Sequence, residues 1–348
     1  MVLVNNPGTW AAVYPPLRHA AWHGWTPTDM VFPFFVFIVG VAVPFALGPR
    51  LERSGHAGAL TRVVRRSAII FALGIILQGL PAFDWATLRI PGVLQRIALC
   101  YLAAGFLFLL TSRRTQALVT AGLLLGYWAV MATVPVPGYG AGDLSPAGNL
   151  AAYLDRTILG PQHLWRVASV YDPEGILSTV PAMATALLGV LTGQWLRRQP
   201  TTGATAARLA LAGVLCAAVG QIWGAWFPVN KSLWTSSYVM LMGGLALITL
   251  AACYWLIEVR GHRRWAVPFV VFGVNALALY FLSTAVARVL VLIHVGPENA
   301  SLQSVLFNRL FAPWASPVNA SLAYACVYVL VWLGLMWPLY QRRIVLRV

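Results

Sequence analysis

The sequence predicts an all-α fold: a polytopic transmembrane helix bundle of about nine full spans plus a truncated first helix, forming a single domain over residues 1–348. Three observations carry that prediction. Of 348 residues, 59% are hydrophobic and 9% are charged, where a soluble domain is nearer a quarter charged. The apolar residues fall in uncharged runs, and roughly 17–25 such residues cross a hydrocarbon core of ~30 Å. The net charge of +15 comes almost wholly from arginines gathered in the segments between those runs. In a soluble protein such a balance would suggest nucleic acid. Here the positive-inside rule explains it better, and no nucleic-acid partner is expected.

Met1-Val2-Leu3-Val4 is apolar and stops at Asn5-Asn6-Pro7-Gly8. Four residues span nothing and read as the last turn of an incomplete helix. Residues 7–26 follow as an aromatic, proline-rich loop. Thr26-Pro27-Thr28-Asp29 then reads as a helix start: Thr26 as N-cap, Pro27 at the first position, Asp29 as the capping-box acid. Met30 to Leu47 holds no charge, so the first full span is 27–47. A loop with Arg50, Arg53, Arg62, Arg65 and Arg66 leads to a span at 67–82. A short loop, 83–91, precedes 92–111, and Arg113-Arg114 precede 116–133. Residues 134–175 are the longest polar stretch, rich in Gly and Pro, ending in Tyr171-Asp172-Pro173-Glu174-Gly175. Further spans are predicted at 176–195, 206–226, 234–257, 266–286 and 319–339. No internal repeat is visible, and residues 1–26 lack the basic start and long apolar core of a signal peptide. Cys100, Cys216, Cys253 and Cys326 lie in apolar runs without metal-ligand spacing and read as small core residues. No metal is expected.

Alternating the loops between two sides gives a test of this topology. One side collects sixteen basic residues: Arg50, Arg53, Arg62, Arg65, Arg66, Arg113, Arg114, Arg197, Arg198, Arg208, Arg260, Arg263, Arg264, Arg342, Arg343 and Arg347. The other holds eight: Arg18, Arg89, Arg96, Arg156, Arg166, Arg288, Arg309 and Lys231. Of the acids, only Glu52 and Glu258 join the basic side; Asp29, Asp84, Asp143, Asp155, Asp172, Glu174 and Glu298 lie opposite. The basic side is therefore expected to be cytoplasmic. His19, the 134–175 loop and Asn230-Lys231 then face outward, and polar residues from distant parts of the chain converge there as a site requires.

Each candidate residue has a structural reading beside a functional one. His19 and His23 sit in an aromatic loop with Trp10, Trp22 and Trp25, either as interfacial residues or as proton-moving groups. Asp29 and Asp172 can serve as caps, and Glu174 can favour a positive helix end. Arg89 lies in the loop, while Arg96 sits a turn inside an apolar run, where an ionised group either snorkels or serves function. Lys231, the only lysine, reads as solvated or as a donor. Asn275 fits an interhelix hydrogen bond.

Seven stretches, spread in order to about residue 240, carry a resemblance. They are LVNNPGTW at 3–10, HAAWHGWTPTDMVFPFFVFIVG at 19–40, RIPGVLQRIALCYL at 89–102, VPVPGYG at 134–140, YLDRTILGPQHLW at 153–165, YDPEGILSTVPAM at 171–183 and FPVNKSLWTSSYV at 227–239. Together they resemble the heparan-α-glucosaminide N-acetyltransferase family. The resemblance implies a membrane acyltransferase that moves an acetyl group from cytosolic acetyl-CoA, the acyl donor substrate, to an amino sugar or related glycan on the far side. It places the family's essential histidine on His19 and a site asparagine on Asn5. It also implies a fuller first helix than Met1–Val4 supplies. On this reading Asp29, Arg89, Arg96, Asp172, Glu174, Asn230 and Lys231 are expected to bind substrate or orient the imidazole, and Arg62, Arg65 and Arg66 to hold CoA phosphates. Membrane lipid, acetyl-CoA and the glycan acceptor are the expected partners, with a homodimer among the assemblies allowed. The expected location is a bacterial inner membrane with His19 on the periplasmic side. Two rival readings are O-acetylation of an envelope polysaccharide and a non-enzymatic transporter of a sugar or lipid-linked intermediate. Transporters tend to show repeats and midplane polar groups; here the polar residues cluster at one face.

Overall fold

The first departure from expectation lies in the arginine-rich loop. In the computed structural model, which describes residues 1–296 and 299–346, that segment is helical, and Val31–Gly79 form one long element, α1. Arg, Leu, Ala and Glu are good helix formers, so the helix runs on past the apolar stretch. It breaks only at Gly55, whose φ of 65° and ψ of −177° suit glycine alone.

The remaining helices are α2 (Val93–Leu110), α3 (Arg113–Thr133), α4 (Leu150–Leu159), α5 (Ile176–Leu196), α6 (Gly203–Trp223), α7 (Ser236–Tyr254), α8 (Val267–Val274), α9 (Ala276–Leu292), α10 (Leu302–Leu310) and α11 (Pro317–Gln341). Short polar side chains start several of them: Ser112 accepts from Thr115 N, Asn149 from Ala152 N and Thr202 from Thr205 N. Such caps satisfy backbone donors that a helix start otherwise leaves open. The only sheet among the described residues is two short antiparallel pairs, Pro135–Val136 with Gly140–Ala141 and His294–Val295 with Ala300–Ser301.

The protein is an all-α, multi-pass integral membrane protein. Among the described residues seven helices are long and apolar enough to cross a bilayer, and Arg264–Val274 with Ala276–Leu292 form a pair bent by 72° that makes an eighth where the two count as one span. The expected nine differ in two places. The span at 67–82 is the second half of α1, where Arg62, Arg65 and Arg66 leave only Ser67 to Gly79 free of charge, about 20 Å of helix. The span at 266–286 is interrupted at Asn275 (φ −122°, ψ 35°). That side chain leaves the helical ladder to bond the C-terminal segment, donating to Ile344 O at 3.1 Å and accepting from Leu346 N at 2.8 Å. Met1 to Asn5 form a single turn closed by Asn5 N to Met1 O at 3.0 Å. Of the four cysteines, Cys100 is buried, Cys216 and Cys253 are half-buried, and Cys326 is exposed on α11; none is paired. Only Cys100 sits fully in the core.

Packing sets the two ends of the bundle. α1 packs against α2 and α5, and α6 against α7. Where α1 crosses α5, an added Cβ on Gly40 would run into the Ala186 carbonyl, and one on Gly189 into Phe37 O. Small residues at such crossings let backbones approach closely. This crossing fixes the helix that follows Asp29 against the helix that follows Glu174. Contacts within part of each loop set lie at opposite ends of α1 and α5. At one end Arg113 donates to Gln194 O at 2.5 Å and Arg197 to Pro44 O at 2.6 Å. At the other, Arg89 meets Asp172, and Lys231 meets Asp29. Glu298 and Arg347, included in that count, lie outside the described residues.

Candidate active site

The aromatic loop before α1 folds back over its own helix start. Pro27–Met30 form a 3₁₀ turn with both capping-box bonds between Thr26 and Asp29 in place. Asp29 Oδ2 accepts from Thr26 N and Ala20 N, each at 3.0 Å. Tyr238 of α7 donates its hydroxyl to Asp29 O at 2.6 Å. The carboxylate, 1% exposed, thereby keeps Oδ1 aimed at His19 Nδ1, 2.6 Å away, while the imidazole is 44% exposed. A carboxylate only accepts, so in the neutral imidazole Nδ1 carries the proton and Nε2 keeps its lone pair.

Lys231 arrives from the loop between α6 and α7. Its Nζ lies 3.0 Å from His19 Nδ1, 3.2 Å from His19 Nε2 and 3.5 Å from Asp29 Oδ1. The loop is held by Gly24 N to Val229 O at 2.7 Å and by buried Asn230, whose Oδ1 accepts from Leu233 N at 2.9 Å. Asn230 Nδ2 also approaches His23 Nδ1 at 3.4 Å. Burial pushes Lys231 below the usual lysine range, against the pull of Asp29 and Glu174. Burial also lowers His23.

A second charged layer lies beside this one. Arg89 grips Asp172 with two bonds, Nε to Oδ2 at 2.8 Å and Nη2 to Oδ1 at 2.6 Å, and reaches Glu174 Oε2 at 2.5 Å. Burial works against both partners, yet Asp172 and Glu174 hold Arg89 above its usual value. Arg89, with Arg96 and Lys231 beyond, keeps Glu174 below the usual carboxylate range. Arg96 is 1% exposed. It donates to Ser178 Oγ at 2.5 Å and Gly175 O at 3.4 Å, and lies over the Trp234 ring at 4.9 Å. Its Nη1 has no hydrogen-bond partner among the described residues.

These residues form two neighbouring clusters in one network of charge: His19, Asp29 and Lys231, with Asn230 holding the loop, and Arg89, Asp172 and Glu174, with Arg96 beside them. Two groups of candidates lie apart from it. Asn5 lines a cavity with Asn6, Trp10 and Arg288 and makes no hydrogen bond to His19. Arg62, Arg65 and Arg66 sit on the second half of α1, thirteen or more residues before Gly79, about 20 Å or more along the helix. There Arg66 Nε, Ser67 Oγ and Tyr101 Oη are buried without hydrogen-bond partners among the described residues. Arg66 lies 5.0 Å from the Tyr101 ring centroid.

Tyr238, Ser178 and Asp155 belong to the network's frame; each lies in a stretch that carries the resemblance, but none stands out there as a site residue. Asp155 of α4 accepts from Ile176 N at 2.8 Å and so caps α5 from another helix. Burial pushes its carboxyl up to about 7, against that N–H. An added Cβ on Gly175 would collide with it, which explains the glycine in the Asp-Pro-Glu-Gly turn.

Comparison with known proteins supports the resemblance read from the motifs. Residues 7–139 match a family model described as a domain of unknown function (DUF5009). The chain is 30% identical to heparan-alpha-glucosaminide N-acetyltransferase of Homo sapiens, over 80% of this chain and 50% of that protein. It is likewise 30% identical to the Mus musculus protein of the same name, with the same two shares. The chain therefore spans about half the length of these curated relatives.

Proposed function

We propose, proceeding from that likeness, that this membrane protein is an acetyltransferase. It takes an acetyl group from acetyl-CoA at its arginine-rich end and delivers it to the amine of an amino sugar or related glycan at the His19 end. The observation that carries the reading is the His19–Asp29–Lys231 constellation. An imidazole oriented by a buried carboxylate through Nδ1 offers Nε2 as base or nucleophile. A lysine ammonium stands beside it where an oxyanion would form.

Both chemical routes start from the same lone pair. As base, Nε2 takes a proton from the acceptor amine while that nitrogen attacks the acetyl carbonyl. The C–S bond breaks, and the CoA thiolate takes the proton from the imidazolium. As nucleophile, Nε2 attacks the carbonyl and the thiolate leaves; the amine then attacks the acetyl carbon, the C–Nε2 bond breaks to return neutral His19, and the amine proton goes to the thiolate. Asp29 stabilises the imidazolium in the first route and the acetylated ring in the second.

The donor must reach this site from the opposite end. The unpartnered Arg66 Nε, Ser67 Oγ and Tyr101 Oη suit a ligand rich in phosphate and amide oxygens. Arg62 and Arg65, exposed on the same helix, suit its phosphates. Buried polar atoms of this kind are ordinarily satisfied by a protein group, ordered water or a ligand.

The test is mass spectrometry of purified protein incubated with isotope-labelled acetyl-CoA and a panel of amino sugars. Labelled acetyl is expected on a sugar nitrogen. Label found only on a hydroxyl would move the reading to O-acetylation, and no transfer to any acceptor would remove the acetyltransferase reading.

A further inference from the structure

Two cavities at the His19 end share one cationic wall. The first, about 390 Å³, is lined by Asp84, Arg89, Trp165, Arg166 and Arg288. The second, about 360 Å³, is lined by Asn5, Trp10, Gln303 and again Arg288. Both are large enough for a small-molecule group, since ligand sites run about 300–1,000 Å³.

Arg288 is the unusual member. Its guanidinium donates to Leu77 O and, at 2.9 Å, to Gln78 Oε1. Among the described residues no carboxylate lies within ion-pair distance of it. Arg166, on the far wall, bonds Thr87 Oγ1 at 2.7 Å. Arg89 is already taken by Asp172 and Glu174. Among the described residues Arg288 is thus met by neutral oxygens alone, while Arg166, the other guanidinium of this crevice, has the Asp84 carboxylate beside it.

Its depth adds a further constraint. Arg288 lies four residues before the end of α9 at Leu292, so about 6 Å inside the helix end. Its neighbours Val289, Val291 and Leu292 are 45%, 48% and 44% exposed, an apolar flank facing outward. An ionised group inside an apolar helix is expensive and marks function, and a guanidinium this near a helix end can reach the polar headgroup region. The crevice also adjoins the proposed catalytic network, because Arg89 walls it while Glu174, Arg89's partner, is felt by Lys231.

We propose that the crevice around Arg288 binds the phosphate of a membrane-anchored acceptor: an amino sugar joined through phosphate to a lipid chain. The chain would lie along the exposed flank of α9, the phosphate on Arg288 and Arg166, and the sugar toward His19. This rests on the acetyltransferase reading and narrows its acceptor class.

The test compares three acceptors with the full chain in phosphatidylcholine nanodiscs: glucosamine, glucosamine 1-phosphate, and glucosamine joined through its 1-phosphate to a farnesyl chain. kcat/KM is expected to rise at least tenfold from the first to the third, mostly through KM, with the second between. Arg288→Gln should bring that ratio close to one, Arg288→Lys should keep most of it, and Arg166→Gln should lower it about threefold. The Arg166 variant keeps the test open if Arg288→Gln does not fold. Thermal stabilisation by the farnesyl-linked sugar without acetyl-CoA gives a second readout. Equal kcat/KM for all three acceptors would overturn the proposal. So would equal stabilisation by phosphatidic acid that the farnesyl-linked sugar does not displace, because the crevice would then hold a bystander headgroup. If no acceptor is acetylated yet the stabilisation occurs and is lost in Arg288→Gln, the phosphate site holds and the acetyltransferase reading falls.

Discussion

His19→Ala is expected to lower acetyl transfer about a thousandfold or more, within the range that a general base or nucleophile contributes. The protein should still insert and fold, because the imidazole is 44% exposed and Asp29 keeps Ala20 N, Thr26 N and Lys231 as partners. Two comparisons sharpen the expectation. His23→Ala should cost less than tenfold: its Nδ1 meets only the Asn230 amide, at 3.4 Å, with no carboxylate to orient it. Lys231→Ala should fall between the two, since it removes a positive charge 3.2 Å from Nε2 but leaves the base. Turnover with saturating acetyl-CoA, measured beside thermal unfolding, checks all three. Equal losses at His19 and His23 would mean that the loop is structural.

Arg89→Ala should have the largest effect on stability. Asp172 and Glu174 side chains are 0% and 10% exposed, and Arg89 is the cation that makes their buried charge tolerable. Removing one partner of a buried pair typically costs about 3–5 kcal/mol, and here two carboxylates lose it together. A fall of many degrees in the detergent melting temperature is expected. Adding Asp172→Asn to Arg89→Ala should restore part of the loss, because one uncompensated charge disappears. If the double variant were no more stable than the single one, the cost would have to come from packing and not from unpaired charge.

Much of this site was visible in the sequence, and particular residues show where visibility ended. The Thr26-Pro27-Thr28-Asp29 start read correctly as a capping box, and the structure contains it. The sequence reading set cap and site against each other, whereas Asp29 does both: Oδ2 takes the backbone donors and Oδ1 takes His19. A carboxylate has acceptor capacity enough for both. Lys231 read as a solvated loop lysine because its meeting with His19 spans 212 positions, and local pattern carries nothing at that range. The cap of α5 was sought in Asp172, but Asp155 supplies it from α4. The arginine segment after Leu47 read as a loop because charge was taken as a break, although arginine itself favours helix. The interruption at Asn275 lies in an apolar run whose composition gives no sign of it. Arg288 was visible as a lone charge in an apolar run, but its importance depends on which side chains fail to meet it.

The account rests on acetyl groups crossing from the arginine-rich end to His19, and sidedness tests this most directly. In sealed vesicles of known orientation, labelled acetyl-CoA should support transfer only from the arginine-rich face, and the amino sugar only from the His19 face. Free CoA should appear on the arginine-rich side, and a cysteine placed at Ala20 should react with an impermeant thiol reagent only from the other. Accumulation of unmodified sugar across the membrane without acetyl-CoA would contradict the account in favour of transport, and both substrates working from one face would contradict transmembrane transfer itself.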